Sequence, residues 1–406
     1  MIEIKNNKDC CGCNSCVQKC PQSCIRMQED KEGFLYPLID YIACVDCGVC
    51  EKVCPIIHQK EEREPLFVYA AKNKNEIIRS ESSSGGVFTL LAEQVISEGG
   101  VVFGAKFNTN WEVIHAFTET IEGLAAFRGS KYVQSYIGET YVQVETFLKT
   151  KRKVLFSGTP CQVAGLKAFL RKEYENLLTI DFICHGIPSP MVWRRYLEEL
   201  LIRQSIGEKF ISCSSDIEYL IRDISQIEFR NKKLGWKKYS FSITFSVPVK
   251  GEAPQKKLFS ESLKKNIFLQ GFLANLYLRP VCYSCPVRGL KSGSDLTIAD
   301  FWSVDRWHPE IKNDNKGLSL LLVNNSKGNL CLQLIGDNMN LWASDYQIAK
   351  IVNPSIIRNA SIDKKRYMFF DRIDEYGVID NVRYLLNRTL KQQFCSLIKK
   401  IYSRIK

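Results

Sequence analysis

Two stretches decide the fold of the N-terminal part, CCGCNSCVQKCP at residues 10–21 and CVDCGVCEKVCP at residues 44–55. Each sets four cysteines at the spacing Cys-x2-Cys-x2-Cys-x3-Cys and closes with proline. The first holds Cys10, Cys13, Cys16 and Cys20 before Pro21; the second holds Cys44, Cys47, Cys50 and Cys54 before Pro55. Short x2 spacings wrap backbone around the corner of a metal–sulfur cube, so that amide N–H groups face the sulfurs. The proline then turns the chain away.

Zinc competes for such a pattern, but two Cys-x2-Cys pairs suffice for one tetrahedral ion. Zinc gives no reason for the third and fourth cysteines, the proline and the repeat. The run is that of a dicluster ferredoxin, in which the fourth cysteine of each motif serves the other cluster. Two 4Fe–4S clusters follow: Cys10, Cys13, Cys16 and Cys54 hold one, and Cys44, Cys47, Cys50 and Cys20 hold the other. Exchanged ligands make the halves one folding unit, because so short a segment has too little core to fold alone. Cys11 and Cys24 lie outside the pattern and read as small buried residues or loop thiols.

The chain has 406 residues, 45% hydrophobic and 25% charged, which suits a soluble globular protein of two or three domains. Ten of its 17 cysteines precede residue 55; a disulfide scaffold would spread them through the fold. The formal charge of +12 is offset in part by anionic clusters. Much of the rest sits on Lys232, Lys233, Lys237, Lys238 and the C-terminal tail. No recognition motif accompanies these charges, so no nucleic-acid partner is expected. Met1 to Asp9 lacks the apolar core of a secretory signal, and no apolar run reaches the ~18 residues of a membrane span. The expected location is cytoplasmic.

Outward from the module (residues 1–58), the charged stretch HQKEEREP at 58–65 reads as a linker. The expected fold class is an α+β ferredoxin-like dicluster module followed by a larger α/β domain with a mixed sheet and an antiparallel insertion. That domain divides into residues 66–150 and 151–325, and residues 326–406 form a C-terminal helical extension. A helix is predicted over 87–97 after Ser82-Ser83-Ser84-Gly85-Gly86, and a strand over 101–107. A βαβ unit follows, with strands at 153–156 and 177–183 around a helix at 162–172. Residues 239–247 alternate strictly and place Phe241, Ile243, Phe245 and Val247 outward on one face of an insertion strand. Another strand, 296–299, ends at Asp300. The last stretch, from Leu386 to Ile405, has helical apolar spacing ringed by basic residues. It reads as a helix packed on the body or, alternatively, one making peripheral contact with an anionic membrane.

Cys161 and Cys184 each follow a strand of the βαβ unit. Right-handed crossover makes those strands parallel, and as neighbours they would lie about 4.8 Å apart. Both thiols then reach the carboxyl edge, where open α/β sheets bind ligands. Cys282-x2-Cys285-Pro286 supplies a second pair, and the four are candidates for a third 4Fe–4S cluster. A dithiol or half a zinc site at Cys282 and Cys285, a low-pKa nucleophile at Cys161, and simple burial stay open. The Ser82–Gly86 loop offers hydroxyls and amides to a phosphate, though serine-rich helix starts are also plain caps. Gly158-Thr159-Pro160 is equally a common strand-to-helix turn. His185 and Asp300 are acid/base candidates by position.

The motifs SSSGG (82–86), GSKYVQS (129–135), FSGTPCQVAGL (156–166), DFICHGIPSP (181–190), LRPVCYSCP (278–286) and LTIADFW (296–302) occur in order. Together they resemble the family of coenzyme F-420 hydrogenase/dehydrogenase beta subunits, in its subgroup with an N-terminal dicluster ferredoxin. The resemblance implies an FAD-binding α/β domain with an iron–sulfur cluster beside the flavin. It matches Cys161, Cys184, Cys282 and Cys285 to the family's cysteine motifs. It puts Ser84, Gly85, Gly86, Lys131, Gly158 and Thr159 near the flavin, with Lys131 able to stabilise an anionic flavin. The implied function is an oxidoreductase passing electrons between a ferredoxin or other redox protein, 4Fe–4S clusters and FAD, to or from a small-molecule hydride acceptor. Its alternatives are a non-catalytic electron-transfer subunit and a redox-linked accessory protein of polysaccharide biosynthesis. Substrate, direction of flow and donor do not follow from it.

Overall fold

The structure is a computed structural model and describes residues 1–208, 217–249 and 252–387. The expected basic helix therefore lies almost wholly outside the described residues. None of the described helices is long and apolar enough to cross a membrane.

The strands in chain order are β1 (Ile25–Glu29), β2 (Leu35–Ile39), β3 (Phe67–Asn73), β4 (Val101–Phe107), β5 (Val113–Thr118), β6 (Val154–Gly158) and β7 (Leu177–Phe182). There follow β8 (Ile224–Asn231), β9 (Ser240–Val249), β10 (Glu252–Ser262), β11 (Leu296–Asp300), β12 (Ser319–Val323) and β13 (Met339–Ser344). β1 and β2 form the antiparallel hairpin of the cysteine-rich module.

The main sheet has the order β13-β3-β12-β11-β7-β6-β4-β5. β4, β6, β7 and β11 pair parallel, while β5, β12 and β13 run antiparallel to their neighbours. The mixed sheet was expected, and β6 and β7 are neighbours, the condition under which Cys161 and Cys184 share one edge. Alternation sorts its side chains. Val101, Phe103, Val154 and Phe156 face helices Thr140–Lys149 and Pro160–Leu170. Val102 and Leu155 face helices Val87–Ser97 and Ser326–Ile335. A strand buried on both sides reads as an unbroken apolar run.

The insertion is the antiparallel sheet β10-β9-β8. Phe241 and Ile243 were expected to face outward, yet both are fully buried. Their face packs on Trp193 and Phe268 from helices Pro190–Glu208 and Ile267–Leu273; alternation gives a strand's two faces, not which one meets the core. Residues 326–406 are likewise not helical throughout. β13 pairs with β3 in the main sheet, a contact across more than 260 residues that local spacing does not announce.

Candidate redox centres

Cys10, Cys13, Cys16 and Cys54 line one cavity of the N-terminal module, and all four are buried. Cys20, Cys44, Cys47 and Cys50 line a second, with Cys24 beside them. Here Cys47 is exposed, and Cys20 and Cys44 are half-buried. The groupings are those expected from exchanged fourth ligands. One site is thus inner and the other outer. Asn14 and Gly48, both in the left-handed region, start the short helices that present Cys16 and Cys50.

Amides point at sulfur, as a cluster requires: Gly12 N donates to Cys10 Sγ at 3.3 Å and Ile2 N to Cys50 Sγ at 3.2 Å. Among the described residues, no three Cys, His, Asp or Glu side chains converge closely enough for a single ion; the thiols ring cavities instead. Burial pushes the Cys54 thiol up to about 11 and Cys16 well above its ordinary value, and a bound cation favours the thiolate of each. The residues fit iron–sulfur clusters.

Cys161, Cys184, Cys282 and Cys285 line a third cavity, at the carboxyl ends of β6 and β7. Cys161 opens its helix after a capping box formed by Thr159 and Gln162, and Thr159 Oγ1 lies 3.1 Å from its sulfur. Ile187 N donates to Cys282 Sγ at 3.3 Å. Arg288 ties the Cys184 turn in place through the carbonyls of Cys184 and His185. Burial raises Cys184 and pushes Cys282 up to about 12.

Cys11 has a place that spacing did not reveal. Buried, it lines both the inner ferredoxin cavity and the third one. It stands beside the thiols of Cys13 and Cys161, and its nearness lowers both. The only trace in the sequence is an extra cysteine next to Cys10.

The remaining candidates separate. The Ser82–Gly86 loop meets the Lys131 loop, where Ser130 N donates to Ser83 Oγ at 2.6 Å. Ser84 Oγ donates to Leu318 O, and Gly85 N to Ser319 Oγ. Gly85 allows a close packing, since a Cβ there would lie 2.3 Å from Ala71 O. Lys131 Nζ bonds the carbonyls of Arg128 and Gly129, and burial brings it down to about 7. Gly158 and Thr159 belong to the turn before Cys161. His185 bonds Asn275 Oδ1 at 2.7 Å, and burial lowers its pKa. Asp300 pairs with Arg230 at 2.5 Å and accepts from Trp236 Nε1. Arg230 was not a sequence candidate, yet its Nε and Nη2 are buried without a hydrogen-bond partner.

Residues 9–56 match a 4Fe-4S dicluster domain. Residues 68–139 and 151–348 match the N-terminal and C-terminal models of the coenzyme F420 hydrogenase/dehydrogenase beta subunit. A relative, one of the subunits of the F(420)H(2) dehydrogenase of Methanosarcina mazei, is 23% identical over 263 residues, covering 62% of this chain and 70% of its own. The cysteine-rich segment is 41% identical over 64 residues to Ferredoxin 7Fe of Hydrogenibacillus schlegelii, covering 15% of this chain and 76% of that one. A chain of the F420-reducing NiFe hydrogenase complex from Methanosarcina barkeri aligns with a TM-score of 0.44 and 16% identity, covering 77% of this chain and 93% of its own.

Proposed function

Because the chain belongs to the family of coenzyme F420 hydrogenase/dehydrogenase beta subunits and carries a 4Fe-4S dicluster domain, we propose that it is an iron–sulfur flavoprotein oxidoreductase linking a ferredoxin-type redox protein to a small-molecule hydride acceptor or donor. The observation that carries this reading is the row of three cysteine-lined cavities, the inner two joined by Cys11. When bound, clusters supply one-electron chemistry, and FAD supplies exchange between one and two electrons.

In this reading Cys10, Cys13, Cys16 and Cys54 hold the inner ferredoxin cluster. Cys20, Cys44, Cys47 and Cys50 hold the outer one, and Cys161, Cys184, Cys282 and Cys285 hold a third. The outer site receives the redox partner. Exposed Cys47 shares its cavity with exposed Val45; Tyr41 and Ile42, a few residues earlier in the chain, are also exposed, Ile42 at 99%, and apolar surface near an exposed redox site suits transient docking. The Ser84–Gly86 and Lys131 loops would hold FAD. There the unpartnered donors of Arg230 offer an anion or a flavin carbonyl the hydrogen bonds that burial otherwise leaves unmade. Lys131 holds or gives up a proton at Nζ near neutrality.

Anaerobic reconstitution followed by iron, sulfide and flavin assay tests this. Three clusters and one flavin per chain are expected; clusters without flavin under any condition remove the enzyme half. A non-catalytic electron-transfer subunit is the second reading, favoured by the internal hydrogen bonds that Ser84, Gly85 and Lys131 already make. It predicts bound iron, no turnover alone, and a stable complex on co-purification.

A further inference from the structure

The guanidinium of Arg279 is fully buried. Its donors go to Cys10 O at 2.8 Å, Leu35 O at 2.8 Å, Gln134 Oε1 at 3.0 Å and Cys10 Sγ at 3.7 Å. Every one of these acceptors except the thiol is a neutral oxygen. Among the described residues no carboxylate lies within ion-pair distance of it, unlike buried Arg79, Arg230 and Arg366, each of which has an acid. An unpaired charge held out of water is strongly unfavourable. The fold nevertheless makes room for this one. Gly12 has φ +69°, and a Cβ there would stand 2.7 Å from Arg279 Nη1. Tyr36 and Phe34 face the guanidinium at 4.4 and 5.3 Å.

We propose that the missing counter-charge is the inner iron–sulfur site itself, and that Arg279 is a positioning residue that raises its reduction potential above that of the outer site. This rests on the cluster assignment made above. One-electron reduction by a redox protein adds a negative charge to a cluster. A fixed cation against its Cys10 ligand stabilises that charge, and charge and hydrogen bonding at sulfur are what set cluster potentials. The outer cavity shares no lining residue with the inner one, and Arg279 touches none of its walls. Arg279 also accepts at its carbonyl from Cys282 N at 2.9 Å, so the same residue fixes the inner site against the third. The ordering makes reduction run inward from the exposed site.

The test is an EPR-monitored redox titration of the anaerobic full-length protein and its variants, with the inner signal identified as the one lost in Cys16→Ala. Arg279→Gln is expected to lower the inner midpoint by a tenfold shift of the one-electron equilibrium, about 59 mV, leaving the other midpoints in place. Arg279→Lys, which keeps the charge, recovers most of it. Gln134→Glu keeps the acceptor that Arg279 uses and gives up only the Gln134 Nε2 bond to Cys11 O at 3.2 Å; it sets a carboxylate against the guanidinium, and lowers the same midpoint even if Arg279→Gln fails to fold. An inner midpoint unmoved in Gln134→Glu, or equally lowered in Arg279→Lys and Arg279→Gln, overturns the proposal. Wild-type protein without iron sinks the cluster assignment itself, a distinct result.

Discussion

Arg366 Nη1 donates to Glu32 Oε1 at 2.9 Å, joining the turn of the β1–β2 hairpin to a helix more than 330 residues further on. The side chains are 4% and 12% exposed. Arg366 also donates to Leu278 O, in the segment that leads to Arg279 and Cys282. The cysteine-rich module is therefore clamped, not tethered. Ser15 Oγ adds a bond to Gly165 O at 2.8 Å, and a Cβ on Gly165 would press to 2.7 Å from Cys13 Cβ.

Removing Glu32 leaves Arg366 buried and unpaired. Glu32→Ala is expected to cost about 3 kcal/mol or more, read as a lower denaturation midpoint with iron retained before unfolding. Glu32→Ala with Arg366→Met should recover part of the loss. A single variant as stable as the parent would show the pair to be idle.

Iron content separates the sites. Cys282→Ala should lose about a third of the iron and keep the ferredoxin signals, as expected of one 4Fe–4S unit among three. Retention of all the iron would leave Cys282 a structural thiol. Chelation should destabilise the N-terminal module first, because its metal binding and folding are coupled.

At the outer site, Ile42→Asp should slow reduction by an external ferredoxin about tenfold, equal to ~1.4 kcal/mol of encounter free energy. Ile42 is almost wholly exposed, so iron content and stability should not change. Stopped-flow reduction at fixed ionic strength measures it, and unchanged rates would place docking elsewhere.

Lys131 gives a pH dependence with a definite sign. Burial holds it at about 7 in the folded chain against an ordinary 10.5. Between those values the unfolded chain binds the extra proton, so stability rises with pH across about 7 to 10.5. The difference between wild type and Lys131→Met isolates this group from other titrations. A difference that is flat, or that falls with pH, would mean that Lys131 stays charged when folded.

Whatever depends on near neighbours was legible in the chain itself. Thiol spacing divided the eight motif cysteines into the same two sets that line the two cavities, since the exchange of the fourth cysteine is written into the motif. Apolar runs and glycine turns located the helix at 87–97, β4 and the parallel β6–β7 pair, because those elements are built from local periodicity and short crossovers. Packing in three dimensions was needed to turn Phe241 inward, to close β13 against β3, to set Cys11 between two cavities, and to bring Arg279 to Cys10. Each of these joins segments tens to hundreds of residues apart, and what selects them is burial and charge compensation, which no spacing along the chain records.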